Sequence, residues 1–316
     1  MTGAFIPYGV YWSTPFAKWQ GALANLHSLK LVARTGKSVL DAKKFPQEAI
    51  DLAILGVTNP QKSSFYGLPW VTGMMGLENV TGPTVQQACA TSARVLQMAA
   101  LEVKSGGADC ALVITADRMS NGPVVYYPDP AAPGGQGVSE SWTLDNFAED
   151  PFARNAMVDT AENVARRYQI STEQQHEVVL QRYQQYADAI ADDRAFQRRY
   201  MVDVPITDGG FRKQVGVLSA DEGVFSTSAD KLAKLKPVKP GGTVTFAAQT
   251  HPADGNAGVI VTTRDRARAT AANEKGRIST FSLPASIFEK SRMSLITPSR
   301  CSPASRMRTH VAWLLR

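Results

Sequence analysis

Residues 86–123 read QQACATSARVLQMAALEVKSGGADCALVITADRMSNGP, and this stretch contains two consecutive structural patterns. From Cys89 to about Lys104 it is rich in alanine, leucine, glutamine, methionine, glutamate and lysine, the residue types that favour helices. A Ser-Gly-Gly turn at 105–107 ends that helix, and residues 110–116 read CALVITA, an apolar run typical of a buried strand. The stretch therefore predicts a helix, a turn and a buried strand, which together make one unit of an α/β fold.

Similar units lie on both sides of this stretch. Residues 27–42 have the spacing of an amphipathic helix, residues 49–58 form a short apolar strand, and residues 256–263 read NAGVIVTT, a further strand. Helices that alternate with short apolar strands predict an α/β domain with a largely parallel sheet.

Residues 120–240 interrupt that pattern. They begin with a Pro/Gly-rich loop and continue with two amphipathic helices. Each helix is preceded by a potential capping box, Asp159 with Glu162 and Ser171 with Gln174. We predict one α/β domain built from residues 1–119 and 241–266, an inserted loop domain at 120–240, and a linker with an atypical tail at 267–316.

Charge and cysteine content narrow the class of protein. The chain has 316 residues and a net charge of +6, but the last 38 residues carry six of the 34 basic groups and one of the 28 acidic groups. The rest is nearly neutral, so we expect no nucleic-acid partner. Three widely spaced cysteines form neither a disulfide framework nor a metal motif. No apolar run has membrane-spanning length, and the first residues do not resemble a signal peptide, so we expect a cytoplasmic protein without a membrane span or a metal site.

The tail from residue 279 has eight serines and no glycine, aspartate or asparagine, and it lacks helical and alternating periodicity. Two interpretations remain open. It is either a basic arm for an acidic partner or a disordered or non-native end, such as one produced by a shifted reading frame.

Cys89 is the principal candidate for chemistry. The thiolate is the reactive form of cysteine, and the N–H groups and partial positive charge of a helix N-terminus favour it. A thiolate at the start of a helix in an open α/β sheet suits acyl transfer through a thioester. The alternative is a buried structural cysteine, which is the interpretation we give to Cys110 inside its apolar strand.

The body of the chain resembles the thiolase family of acetyl-CoA acetyltransferases and 3-ketoacyl-CoA thiolases. The resemblance covers about residues 4–266, and six segments carry it in the family's order: STPFAKWQGAL at 13–23, QQACATSARVLQMAA at 86–100, GGADCALVITADRMSNGP at 106–123, MVDTAENVARRYQISTEQQHEVVLQR at 157–182, DEGVFSTSADKLAKLKPV at 221–238 and GGTVTFAAQTHPADGNAGVIVTT at 241–263. It implies a thiolase-like layered α/β fold in which a first βαβ half carries the inserted helical loop domain. It also implies a coenzyme A thioester as substrate, no permanently bound cofactor, and a homodimer or association with a second thiolase-like chain.

The resemblance implies roles for four residues. Cys89 matches the nucleophile that accepts the acyl group. Met157 and Thr250 match positions that line the coenzyme A pocket, with Thr250 replacing the usual serine. His251 lies in the following loop, near the thioester end of that pocket, and is either a substitute base for Cys89 or a loop histidine without a catalytic role.

The sequence also departs from the family. It contains no Asn-Glu-Ala-Phe, Gly-His-Pro or Cys-x-Gly-Gly motif, which the second half of a thiolase supplies. Cys301 and His310 lack those surroundings, and Phe225 stands where the family often has an arginine that contacts coenzyme A. We therefore expect the second half to be missing and the activity to be impaired.

Three hypotheses for the function follow. The first is an acyl-CoA C-acyltransferase that acts through a Cys89 thioester, and the second is a non-catalytic thiolase-like protein that binds acyl-CoA or docks an enzyme partner. The third is a β-ketoacyl synthase relative, which the ordered thiolase segments disfavour.

Overall fold

A computed structural model describes residues 3–270 and 278–280. Its strands are β1 (Phe5–Pro7), β2 (Tyr11–Ser13), β3 (Ala17–Lys18), β4 (Leu52–Gly56), β5 (Thr84–Val85), β6 (Cys110–Asp117), β7 (Val124–Tyr127), β8 (Val138–Ser141), β9 (Val204–Thr207), β10 (Gln214–Leu218), β11 (Ala253–Thr262) and β12 (Ile278–Thr280). Its α-helices are α1 (Ser28–Ala42), α2 (Leu68–Met75), α3 (Thr91–Ser105), α4 (Leu144–Ala148), α5 (Met157–Tyr168), α6 (Thr172–Arg194), α7 (Ala229–Leu232) and α8 (Arg264–Thr270). The tail that we singled out lies outside the described residues, apart from the end of β12.

One eight-stranded sheet organises the fold. Its main path runs β12-β1-β11-β6-β4-β5, and β2 and β3 also pair with β11. β4 is parallel to β5 and to β6. β11 is antiparallel to β6 and pairs with every residue of β6, from Gly255 opposite Asp117 to Thr262 opposite Cys110. The prediction of a largely parallel sheet was wrong for this side of the sheet, because an apolar run identifies a buried strand without fixing its direction.

Apolar side chains cover both faces of the sheet, which is why its central strands are buried. On one face Leu112 and Ile114 of β6 belong to a core shared with α1 and α2. On the other face Ala111 and Val113 pack in a core with α3. Successive side chains of a strand point to opposite faces, so β6 supplies both cores and the sheet lies between two helical layers.

Between β6 and β11 the chain forms separate elements. β7 pairs with β8 and β9 pairs with β10, both antiparallel, and α4 to α7 lie among these hairpins. None of these described strands joins the eight-stranded sheet. This arrangement supports an inserted segment, although the domain boundaries that we predicted remain predictions.

The two predicted capping boxes had different outcomes. Ser171 is the N-cap of α6, where it accepts a bond from Gln174 N, and the Gln174 side chain accepts one from Ser171 N. The capping box predicted at Asp159 was wrong, because α5 begins at Met157 with Ala156 as its N-cap. Asp159 lies inside the first turn and accepts a hydrogen bond from the backbone N–H of Ala156. Glu162 is consequently free to bind a distant segment.

Within the described residues, no helix combines the length and the apolar character that a membrane crossing requires.

Candidate active site

Cys89 lies in a tight turn that links β5 to α3. Residues Ala88–Ala90 form a single 3₁₀ turn, and α3 begins at Thr91. The prediction that the helix starts at Cys89 was two residues early, since Ala88 has a left-handed backbone (φ 43°) that an α-helix cannot include. Cys89 is exposed rather than buried, so its thiol is open to a reagent or substrate.

The first turn of α3 sits directly on the sheet. A side chain at Gly56, the last residue of β4, would meet the Thr91 methyl at 2.8 Å and the Thr115 methyl at 3.2 Å. The missing side chain at Gly56 lets the helix approach the strand closely. Because β4 and β6 are parallel, the Cys89 turn lies at the edge where both strands have their carboxyl ends, the usual position of ligand sites in α/β sheets.

His251 lies at the same edge of the sheet as the Cys89 turn. It precedes β11, whose first residues pair with the last residues of β6. Its ring is exposed and packs beside Gly223, where an added Cβ would come within 2.4 Å of Nε2, and its Nδ1 lies 3.0 Å from the Pro252 carbonyl. No hydrogen bond joins His251 to Cys89 within residues 3–270, and the role of His251 as a substitute base stays a prediction.

The two residues predicted to bind coenzyme A are exposed on neighbouring elements. Met157 is the first residue of α5 and is 63% exposed, and Thr250 is exposed in the loop before β11. Glu162 of α5 accepts hydrogen bonds from the backbone N–H groups of Thr243 and Val244 at 2.9 Å. The helix that carries Met157 is therefore bound to the segment that leads to Thr250.

A cavity of about 330 Å³ lies between α5 and the loop before Thr243. Asp159, Glu162, Arg166 and Lys239 line it. Its lining includes none of the four predicted site residues, so it carries no part of the predicted acyl-transfer site.

A buried polar network supports the edge of the sheet beside Cys89. Asp117, the last residue of β6, accepts bonds from the backbone N–H groups of Thr58 and Asn59, both at 2.9 Å, and from the Thr58 hydroxyl. Burial and the neighbouring Asp254 raise the pKa of Asp117, while these donors act in the opposite direction. Asp254 in turn accepts the backbone N–H groups after β6.

The network extends to Gln86, which precedes the Cys89 turn, and to Trp142, which follows β8. The carbonyl of Thr58 accepts the Gln86 amide at 3.2 Å and the Trp142 indole N–H at 3.0 Å. Sequence reasoning missed Asp117, Gln86 and Trp142 as supports of the site. The signal for Asp117 was its place in a polar run at the end of a buried strand, at the sheet edge where sites form, whereas no such signal marked Gln86 or Trp142. Among the described residues, no group of three or more histidine, cysteine, aspartate or glutamate side chains could hold a metal ion.

Comparison with known proteins identifies the family. The family described as thiolase, N-terminal domain, matches residues 12–265. The chain belongs to the thiolase family. The resemblance and the layered α/β fold predicted from the sequence are thereby confirmed.

Individual thiolases are similar over the same region. Acetyl-CoA acetyltransferase of Yarrowia lipolytica is 27% identical over 257 residues, covering 81% of this chain and 63% of that protein. The 3-ketoacyl-CoA thiolase of Bacillus subtilis is 29% identical, covering 81% of this chain and 65% of its own length. The crystal structure of human mitochondrial 3-ketoacyl-CoA thiolase in complex with CoA superposes with a TM-score of 0.72 at 25% identity, covering 84% of this chain and 65% of that one. The chain thus spans somewhat less than two thirds of the length of these relatives.

Proposed function

We propose that this chain is an acyl-CoA C-acyltransferase of the thiolase type, in which Cys89 accepts the acyl group. The observation that carries the proposal is the exposed Cys89 thiol in the turn before α3 of a thiolase-family chain. Its position at the carboxyl edge of β4 and β6 supports the same role.

The chemistry requires one bond to form and one to break. The Cys89 thiolate adds to the thioester carbonyl carbon, the bond from that carbon to the coenzyme A sulfur breaks, and coenzyme A leaves as a thiol after taking up a proton. The first N–H groups of a helix have no intrahelical partner. Those at the start of α3 are suited to stabilise negative charge that develops beside the thiol. Met157 and Thr250 are the residues we propose for contact with coenzyme A, which acts as part of the substrate and not as a resident cofactor.

A second candidate is a non-catalytic thiolase-like protein that binds acyl-CoA or docks a partner. It is favoured by the lack of a hydrogen bond between His251 and Cys89, since the thiol then has no hydrogen-bonded base among residues 3–270. A positioned base typically contributes about 10²–10⁴ in rate. We therefore expect acylation of Cys89 to be slow and thiolysis of acetoacetyl-CoA by this chain alone to reach only trace levels.

Incubation with radiolabelled acetyl-CoA separates the two candidates. Acyl transfer predicts label on the protein that is lost in Cys89→Ser and retained in the matched variant Cys110→Ser. A chain that binds acetyl-CoA, as measured by calorimetry, without acquiring label would support the non-catalytic alternative.

The location and assembly of the chain are further inferences. Free cysteines, exposed at Cys89 and buried at Cys110, are consistent with the reducing cytoplasm. β5 is an edge strand of the main sheet: it pairs with β4 on one side, and no described strand pairs with its other side. An unpaired edge is a template for association, so we infer a homodimer or a complex with a second thiolase-like chain. A monodisperse monomer in light scattering would oppose this inference.

A further inference from the structure

The side chain of Thr91 closes the turn that holds Cys89. Its hydroxyl accepts a hydrogen bond from the backbone N–H of Gln87 at 2.8 Å and donates one to the carbonyl of Ala88 at 2.7 Å. Thr91 itself is 5% exposed, so the hydroxyl end of both bonds is shielded from competing water, although Gln87 and Ala88 are exposed. One hydroxyl therefore bridges the peptide group that joins Gln86 to Gln87 and the peptide group that joins Ala88 to Cys89.

That turn contains a backbone conformation which needs support. Ala88 has φ 43°, in the left-handed region that residues with a Cβ rarely adopt. Such conformations persist where surrounding contacts determine them, and they concentrate at functional sites. The bonds of Thr91 to the residue before Ala88 and to Ala88 itself supply this support.

The methyl group of Thr91 ties the same residue to the sheet. A Cβ at Gly56 would approach this methyl to 2.8 Å, and the methyl of Thr115 lies close to the same point. The two branches of the side chain thus act in different directions. The methyl packs the start of α3 against β4 and β6. The hydroxyl binds the backbone of the Cys89 turn and so holds that turn against the same part of the sheet.

Other side chains bind this turn from more exposed positions. Gln86 donates to the Thr58 carbonyl at 3.2 Å, and Gln87 accepts from Arg94 at 2.6 Å, and both glutamines are exposed. Bonds between exposed groups compete with water and hold their partners less firmly. Thr91 is the buried side chain that reaches the turn.

We propose that Thr91 is a positioning residue that holds the Cys89 sulfur in the geometry required for attack on a bound thioester. The inference rests on the proposed function, because it concerns the same acyl transfer. A threonine at this position combines a β-methyl and a β-hydroxyl, and valine and serine each remove one of the two.

The test compares Thr91→Val with Thr91→Ser in the full chain. Valine keeps the shape and removes the hydroxyl, whereas serine keeps the hydroxyl. The rate of label transfer from acetyl-CoA to Cys89 is measured against acetyl-CoA concentration. We expect T91V to lower the limiting rate about 10-fold or more, as small displacements of reacting groups do, with little change in the half-saturating concentration. T91S should recover most of that loss.

Two controls separate positioning from loss of stability. Thr72 of α2 is 2% exposed, and its hydroxyl donates within its own helix to the carbonyls of Leu68 and Pro69. Thr72→Val therefore removes a buried hydroxyl elsewhere and should leave the transfer rate unchanged. Alkylation of the buried Cys110 reports opening of the fold, and it should stay equally slow in wild type and T91V.

The outcomes are distinct. Label on wild type with an equal limiting rate in T91V would overturn the role of Thr91 and leave the proposed function intact. A loss in T91V matched by faster Cys110 alkylation, or not recovered in T91S, would also overturn it. Absence of label from wild-type protein would overturn the proposed function and this inference with it.

Discussion

Glu162 should be among the most sensitive positions for stability, although it lies outside the predicted site. It is 8% exposed and accepts bonds from three donors: Thr243 N at 2.9 and 3.0 Å, Val244 N at 2.9 Å and the Thr243 hydroxyl at 3.0 Å. A hydrogen bond to a charged group contributes about 1.5–3 kcal/mol, and a buried donor left unpaired costs about 1–3 kcal/mol. Since the three donors share two oxygens, the contributions do not add fully. We expect Glu162→Ala to lower the free energy of unfolding by about 3–5 kcal/mol.

Glu162→Gln gives a sharper test through pH. Burial alone would raise the pKa of Glu162, but the donors from Thr243 and Val244 outweigh it, and the pKa lies below its ordinary value of 4.5. A carboxylate with a lowered pKa stabilises the fold above its unfolded pKa, and that contribution is lost as pH falls through the folded value. E162Q should therefore destabilise the protein by about 1–3 kcal/mol at pH 7. Its difference from wild type should shrink below pH 4.5.

Urea unfolding followed by tryptophan fluorescence measures this effect, from pH 7 down to the acid limit of folding. Glu177→Gln is the matched control, because Glu177 is exposed on α6, and it should change stability by less than about 0.5 kcal/mol. A decrease in the free energy of unfolding of E162A no larger than that of the control would show that the bonds of Glu162 do not stabilise the fold. A difference between E162Q and wild type that is independent of pH would show that the charge of the carboxylate is not responsible.

Other measurements address the Cys89 turn and α1. Iodoacetamide should modify the exposed Cys89 well before Cys110, because burial raises the pKa of the Cys110 thiol to about 12; comparable rates in the folded protein would contradict this. His27 caps α1 through Nδ1 and donates from Nε2 to a loop carbonyl, and burial lowers its pKa. The contribution of His27 to the free energy of unfolding should therefore be fully present above pH 6.5 and be lost as the pH falls below that value. His27→Asn should remove that slope in urea titrations, and an unchanged slope would exclude His27 as its source. Gly56→Ala places a methyl 2.8 Å from the first turn of α3 and should lower the free energy of unfolding by about 1–3 kcal/mol. Gly73→Ala is the control, because no atom lies within 4 Å of the added methyl, and it should not lower stability. Equal thermal midpoints of the two variants would contradict the close approach of α3 to Gly56.

The elements that sequence predicted well are those with a strong local signal. The apolar run at 110–116 became β6, and the amphipathic pattern at 27–42 became α1, each within one residue. The direction of β11 was not predictable, because strand pairing depends on contacts far apart in the sequence. The start of α3 was misplaced because the left-handed backbone of Ala88 depends on its surroundings and not on an alanine-rich composition.

The residues of the candidate site likewise differ in whether a local sequence signal marks them. Cys89 was predictable as a candidate nucleophile because a cysteine near a helix N-terminus has a specific chemical consequence. The roles of Thr91 and Glu162 were not, because each depends on a partner that only the folded chain brings within reach. Glu162 was instead assigned to a local capping box, since local patterns are all that a sequence displays directly.

The proposed thioester on Cys89 is detected by mass spectrometry of acid-quenched protein after incubation with acetyl-CoA. We expect an acetyl group on the peptide that contains Cys89 and none on the peptide that contains Cys110. Added free coenzyme A should remove this group and regenerate acetyl-CoA, since the transfer is reversible. An unmodified Cys89 after prolonged incubation, or acetyl groups confined to lysines, would contradict the proposed thioester.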